Sequence, residues 1–184
     1  MSALTWGVCC AVAVACLALA AGRGRLHAVN AGLAERALRP EGLRDAELVH
    51  VEKQFRISQP LGLAAKIDRA YRMPSGLIVL VELKTRWVNR PFLSDVIQLS
   101  AQRMAVQGQT GQAVASYGYV MVKSPTGRAM PTAHRVDLMS DEQVVDLVRR
   151  REAILAGRVP PHWPLTRRTC LKCAFRTHCN RFRL

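Results

Sequence analysis

One stretch constrains the fold more than any other, GLIVLVELKTR, which spans Gly76–Arg86. Its first half is apolar at consecutive positions, a pattern typical of a strand that is covered on both faces of its sheet. The apolar run stops at Glu82, and Lys84 follows two residues later. Because side chains alternate along a strand, these two charges lie on one face, at the end of a buried strand.

A second carboxylate is expected opposite this pair. Pro74–Gly76 (PSG) predict a turn that joins the strand to the preceding extended segment as a hairpin, with glycine supplying a positive φ. Counting seven residues outward from Ser75 in each direction reaches Asp68 and Glu82. Residues opposite each other on paired strands lie about 5 Å apart. Two carboxylates this close repel unless a cation lies between them, and oxygen ligands favour Mg²⁺ or Mn²⁺.

This arrangement suits the hydrolysis of phosphodiesters. A divalent metal polarises a phosphate and lowers the pKa of its bound water, and Lys84 would add fixed positive charge beside it. The alternative is an ordinary ion pair, Asp68–Lys84 or Glu82–Lys84. Charges at the end of an apolar strand are costly unless they are paired or bind a metal. Together with Asp68 on the neighbouring segment, this favours catalysis.

The remaining patterns predict an α/β fold in which a mixed β-sheet is flanked by helices. With 184 residues, the chain is long enough for one ordinary domain. Periodicity and capping signals predict helices in residues 22–38, 91–107 and 140–157, and strands in residues 47–57, 61–73, 77–86, 113–122 and 133–139.

The segments LAAKIDRAY and GLIVLVELKT resemble the core motif of the PD-(D/E)XK nuclease superfamily, in its RecB-like branch. In particular, the chain is similar to the CRISPR-associated and related exonuclease family that carries an iron–sulfur cluster. Asp68, Glu82 and Lys84 match the motif, and Ile67 replaces its nominal proline. The resemblance covers residues 22–184 and implies a restriction-endonuclease-like core.

The resemblance also implies roles for residues outside the motif. Gln98, on the helix after the motif strand, matches a glutamine that positions the substrate or the lysine. The tyrosine usual four residues later is Gln102 here, which is a departure. The family uses a helical histidine before the sheet as a metal ligand, so His27 is the expected ligand and His50 the alternative. The main-chain carbonyl of Leu83 would be a further ligand.

Three cysteines near the end of the chain, Cys170, Cys173 and Cys179, form the pattern C-x2-C-x5-C. This spacing in a domain that faces the cytoplasm indicates metal or cluster ligands rather than disulfides. Zinc could take His178 or His162 as its fourth ligand. We expect a [4Fe–4S] cluster, with Zn²⁺ as the alternative. The resemblance places a fourth cysteine near the N-terminus, for which Cys16 is the candidate.

The charge of the chain is strongly positive, with 27 lysines and arginines against 13 acids and a net charge of +14. Such a surface favours a polyanionic partner, either nucleic acid or anionic lipid. Residues 1–21 carry no charge and Arg23 follows soon after. This pattern predicts a membrane anchor with the remainder in the cytoplasm. A buried helix of a cytoplasmic protein and a signal peptide are the alternatives.

The predicted organisation is therefore an anchor helix in residues 1–21, a nuclease core in residues 22–158 and a basic cysteine-cluster segment in residues 159–184. The resemblance implies a metal-dependent DNA nuclease that acts as an exonuclease on single-stranded ends. Two other functions are compatible with the sequence. One is a nucleic-acid-binding module that has the fold without catalysis, and the other is a scaffold whose cationic tail binds anionic lipid.

Overall fold

A computed structural model of the chain describes residues 32–162, 167–171, 173, 174 and 176–179. The predicted anchor, Cys16 and His27 lie outside these residues, so the predictions on them stay predictions. Within the described part, helices that combine the length and the apolar character needed to cross a membrane are absent. The chain divides into two compact units, residues 1–141 and 142–184, and each is described by itself.

The described part of the chain contains seven strands, four α-helices and two 3₁₀ turns. In chain order they are α1 (residues 32–37), a 3₁₀ turn (Glu41–Leu43), β1 (Glu47–Val51), β2 (Gln54–Ile57), β3 (Leu63–Lys66), β4 (Arg69–Arg72), β5 (Ile78–Thr85), α2 (Leu93–Thr110), β6 (Val114–Lys123), β7 (Thr132–Asp137), α3 (Asp141–Leu155), α4 (Arg167–Leu171) and a second 3₁₀ turn (Arg176–His178).

The main sheet has five strands in the order β1-β4-β5-β6-β7. Strands β5 and β6 are parallel, and the other three pairs are antiparallel. The prediction of a mixed sheet packed against helices is thereby confirmed. The parallel pair needs a crossover connection, which α2 provides between the two central strands. This helix therefore packs directly beside β5, the strand that carries Glu82 and Lys84.

Two predicted strands were wrong in their extent. Residues 47–57 and 61–73 each divide in two, because β2 and β3 pair with each other in a separate two-stranded sheet. The first break is at Glu52, whose φ of 49° lies in the left-handed region and interrupts an extended chain. The second break is at Ile67 and Asp68, which bond through their main chains to Lys53 and Glu52.

Burial of both faces explains the continuous apolar run in β5. On one face, Ile78 and Leu80 pack with Leu99 and Val106 of α2 in a buried cluster. On the other face, alternate residues of β5 pack with Tyr71 and with residues before β1. Because Glu82 and Lys84 continue the series of Ile78 and Leu80, they lie on the face that is covered by α2.

A buried ion pair determines where α2 begins. The Asp95 carboxylate accepts a hydrogen bond from the main-chain N–H of Phe92 at 2.8 Å and pairs with the Arg86 guanidinium at 2.7 Å. Burial by itself would raise the pKa of Asp95, but these two partners outweigh it and lower the pKa. The helix ends at Gly111, which has a φ of 69°. Since Arg86 follows β5, this pair ties the helix start to the end of that strand.

We expect Leu99→Ala to reduce the free energy of unfolding by about 2–5 kcal/mol, because Leu99 is fully buried between α2 and the sheet. Leu93→Ala on the same helix is the matched control. The Leu93 side chain is 66% exposed, so its loss should change stability by no more than about 0.5 kcal/mol. Urea unfolding followed by circular dichroism measures both values. Equal losses for the two variants would contradict the packing of α2 against β5.

Candidate active site

The two predicted carboxylates come together at the end of the β4–β5 hairpin. The predicted turn is present, with Gly76 at a φ of 86°. The last residues paired between the strands are Arg69 and Val81, so Asp68 and Glu82 are the next positions in the same register. The main-chain N–H of Leu83 donates to Asp68 Oδ2 at 2.7 Å. This hydrogen bond holds the Asp68 carboxylate beside the strand that carries Glu82.

Glu82 is a buried carboxylate, only 3% exposed, held by three donors. Gln98 Nε2 donates to its Oε1 at 2.7 Å, and Gln102 Nε2 donates to its Oε2 at 2.9 Å. The Lys84 ammonium lies 2.7 Å from Oε1. An ionised carboxylate in this environment would be strongly unfavourable without such partners. The three donors therefore allow Glu82 to be buried and also set the direction of its oxygens.

Lys84 is bound at two points. Besides its contact with Glu82, its Nζ donates to Gln98 Oε1 at 2.8 Å. Gln98 thus accepts from the lysine and donates to the glutamate through the two ends of one amide. The ion pair that the sequence offered as an alternative to catalysis is present, and it belongs to this larger network. The network places the ammonium group at a defined position near the surface.

Gln102 has a place in the site that the sequence analysis did not recognise. Its side chain is 1% exposed, and its Nε2 also donates to the main-chain carbonyl of Lys66 at 2.9 Å. Its Oε1 has no hydrogen-bond partner within the described part of the chain. The four-residue spacing from Gln98, which puts both amides on one face of a helix, is the signal that could have revealed it.

A cavity with cationic lining residues lies mostly on the face of the sheet opposite to α2, because Arg69, Leu83 and Lys123 alternate with the positions that face the helix. The cavity has a volume of about 250 Å³ and lies at the ends of β5 and β6. Three of its lining residues are cationic, namely Arg69, Lys84 and Lys123, and its other lining residues are mostly apolar. A cavity of this composition can receive a phosphate group together with an adjoining apolar group.

The comparison with protein families agrees with this geometry. A family model described as the PD-(D/E)XK nuclease superfamily matches residues 11–180. The chain belongs to this superfamily. None of the curated proteins compared with it matches the sequence significantly. Membership implies a phosphodiester hydrolase, and the matched residues include Asp68, Glu82 and Lys84.

Solved structures with a related arrangement include two of low sequence identity. The protein SSO0001 is 17% identical, with a TM-score of 0.48 over 87% of this chain and 71% of that protein. A candidate exonuclease from Eubacterium rectale is 14% identical, with a TM-score of 0.46 over 79% of this chain and 57% of that protein.

Members of the PD-(D/E)XK superfamily typically use divalent metal ions, and the donor chemistry here fits such an ion. Asp68 is partly buried, and burial raises the pKa of its carboxyl group, with the negative charges of Glu82 and Glu52 adding to the effect. The Leu83 N–H and Lys84 act in the opposite direction without cancelling it. A bound Mg²⁺ or Mn²⁺ would relieve this repulsion, and carboxylate oxygens are the ligands it prefers.

Other predicted ligands are not gathered at this site. His50 lies on β1, is partly buried and packs edge-on against the Phe55 ring, with the ring centres 5.3 Å apart. Across the described residues, His, Cys, Asp and Glu side chains do not form any group of three or more that could hold a metal. The carboxylate pair is thus the part of the predicted metal site that the structure describes.

The three C-terminal cysteines lie in the second unit, and none of them forms a disulfide. Cys170 is buried in α4, Cys173 is exposed and Cys179 is intermediate. Main-chain hydrogen bonds join Cys173 to Cys170, Arg176 to Cys173, and Cys179 to Arg176. This series of turns repeats every three residues. The described geometry does not gather the thiols into a metal-binding group.

The raised pKa of Asp68 predicts a pH-dependent effect on stability. The folded protein binds the Asp68 proton more tightly than the unfolded chain does, so ionisation lowers stability as the pH rises above 3.8, the ordinary value. Asp68→Asn keeps an acceptor for the Leu83 N–H but cannot ionise. In EDTA at pH 7 we expect this variant to be more stable than the wild type, with the difference vanishing as the pH falls below 3.8.

Urea unfolding between pH 3.5 and pH 7.5 measures this difference, and Asp137→Asn, at the exposed end of β7, is the control. Added Mn²⁺ should stabilise the wild type and leave Asp68→Asn unchanged, because ligand binding stabilises only the form that binds it. A destabilised Asp68→Asn protein at neutral pH in EDTA would show that the carboxylate has a structural role.

Proposed function

We propose that this chain is a metal-dependent deoxyribonuclease that degrades DNA from single-stranded ends. The observation that carries the proposal is the buried Glu82, joined to Lys84 through Gln98 and placed opposite Asp68 in the hairpin register. The chain belongs to a superfamily of phosphodiester hydrolases, which supports a hydrolytic role for this arrangement. DNA as the substrate, exonuclease action and the preference for single strands are the parts that need experiment.

The carboxylates of Asp68 and Glu82 would hold Mg²⁺ or Mn²⁺, with the Leu83 carbonyl and His27 as further ligands. When bound, the ion polarises the phosphate and lowers the pKa of a coordinated water. Glu82 is held in one orientation by Gln98 and Gln102, so its oxygens require little rearrangement to receive the ion. This pre-orientation lowers the free-energy cost of assembling the site.

Lys84 provides the fixed positive charge of the proposed mechanism. Its ammonium group would stabilise the negative charge that develops on the phosphate oxygens as the phosphodiester bond breaks. Gln98 acts as a positioning residue, because it accepts a hydrogen bond from Nζ and donates one to Glu82. The amine is therefore held beside the carboxylate pair, where the scissile phosphate would lie.

The charge distribution supports a nucleic acid as the substrate. The net charge of +14 attracts a polyanion, and Arg69 and Lys123 line the cavity at the ends of β5 and β6 together with Lys84. Binding should therefore weaken steeply as salt increases, which is the usual behaviour of contacts to a phosphate backbone.

A cleavage assay with Mg²⁺ or Mn²⁺ tests the proposal, using end-labelled linear DNA and circular single-stranded DNA. We expect Lys84→Ala and Glu82→Ala each to reduce the cleavage rate by at least about 100-fold, because each removes a group that stabilises charge at the reaction centre. Lys53→Ala is the matched lysine control, since this exposed side chain lies over the Phe55 ring. Linear single strands should be degraded and circles should resist.

Each other outcome has a defined meaning. Cleavage of the circles would show endonuclease action. Retention of activity by Lys84→Ala would remove the lysine from the mechanism. DNA binding without cleavage of any form would identify a catalytically inactive binding module. Binding to anionic vesicles that survives competitor DNA, without nuclease activity, would instead identify a lipid-binding scaffold.

Membrane attachment through residues 1–21 is a separate proposal. Fractionation of cells that express the chain with and without these residues tests it.

We further propose that Cys170, Cys173 and Cys179 bind a [4Fe–4S] cluster, with Cys16 as the fourth ligand. The support is their C-x2-C-x5-C spacing, which is typical of metal or cluster ligands. Anaerobically purified protein should absorb visible light and contain about four irons per chain, and Cys173→Ser should lose both properties. A colourless protein with stoichiometric zinc would contradict the cluster and favour the zinc alternative.

A further inference from the structure

An exposed tryptophan lies next to the catalytic strand. The Trp87 side chain is 75% exposed and follows Lys84 by three residues. A strand advances about 3.3 Å per residue, so the two main-chain positions are no more than roughly 10 Å apart. Burying an indole is strongly favourable. Its exposure beside a reaction centre therefore suggests a surface that is used when substrate is present.

The chain around Trp87 is held firmly on both sides. The Arg86 N–H donates to the Lys123 carbonyl at 3.0 Å, and the Arg86 guanidinium pairs with the buried Asp95. On the other side, Asn89 bonds to Thr132 at 3.0 Å and to the His134 ring at 2.9 Å. The main chain that carries the indole is thus held by hydrogen bonds on both sides.

The neighbours of Trp87 favour nucleic acid over a protein partner. Arg90, three residues after Trp87, is exposed and lies over the Phe92 ring at 5.3 Å from its centre, so the segment that carries the indole also carries a cation at the surface. Val88 is also exposed, which makes the patch both apolar and basic. Surfaces that bind single-stranded nucleic acid combine aromatic side chains with positive charge in this way.

We propose that Trp87 stacks on an unpaired base of the DNA strand whose phosphate is cleaved beside Lys84. This inference rests on the proposed nuclease function and identifies the element that selects single strands. A base within a duplex is already stacked on its neighbours, so only an unpaired base is available to the indole. Trp87 therefore contributes to the binding of single strands and contributes little to the binding of duplexes.

Fluorescence anisotropy with labelled oligothymidylate and a labelled duplex tests the inference, in EDTA so that no strand is cut. Loss of one stacked base weakens binding by about 1–3 kcal/mol. We therefore expect Trp87→Ala to raise the Kd for the single strand roughly 5- to 150-fold, and to leave the Kd for the duplex unchanged. Trp87→Phe should retain most of the affinity, because a phenyl ring also stacks.

Leu155→Ala is the matched control, since Leu155 is an apolar side chain of similar exposure, 69%, and should have no effect on either Kd. Unchanged binding of the single strand by Trp87→Ala would overturn the inference, as would an equal loss for the duplex. The proposed function is judged separately by the cleavage assay. If the wild type cuts DNA and Trp87→Ala binds single strands as tightly as the wild type, only the inference is refuted. If Trp87→Ala loses single-strand binding but the wild type does not cut DNA, only the catalytic proposal is refuted.

Discussion

The burial of one ionised side chain, Glu82, is the constraint on which this site depends. The carboxylate continues an apolar strand and is almost inaccessible to water, so it must receive hydrogen bonds from the protein. Lys84 provides one contact from the same strand, and Gln98 and Gln102 provide two from α2. These contacts require α2 to present one particular face to β5. Burying Glu82 therefore requires both that α2 lie in this position and that it carry Gln98 and Gln102 on the face toward β5.

The elements around β5 meet this requirement through a second buried ion pair. Arg86, directly after β5, pairs with Asp95 in the first turn of α2, so the end of the strand and the start of the helix are joined. Farther along, Leu99 packs α2 onto the sheet. The same connection carries the exposed Trp87. One short segment thus locates the helix that orients Glu82 and carries an exposed aromatic side chain three residues after Lys84.

Much of this arrangement could be predicted from the sequence, because the relevant interactions are local. The β4–β5 hairpin and its register follow from a short turn and a count of residues, and the structure has both. Helix α2 follows from its periodicity. The breaks at Glu52 and between β3 and β4 were missed, because polar and apolar residues continue to alternate through both. A positive φ at one residue does not change that sequence pattern. Gln102 was missed as a member of the site, although its four-residue spacing from Gln98 puts both side chains on one face of the helix, because spacing alone does not show which element that face meets.

The sequence by itself determined the identity of the charged groups and the face on which Glu82 and Lys84 lie, since strand geometry makes residues two apart share a face. It also determined that Asp68 is the carboxylate opposite, because a hairpin constrains neighbours in sequence. Only the tertiary structure decided how these charges are tolerated. Burial and the contacts of Gln98 and Gln102 with Glu82 arise from packing α2 against the strand end, and the raised pKa of Asp68 arises from its burial and from the nearby charges of Glu82 and Glu52. Such contacts depend on the position of whole elements, which periodicity along the chain does not specify.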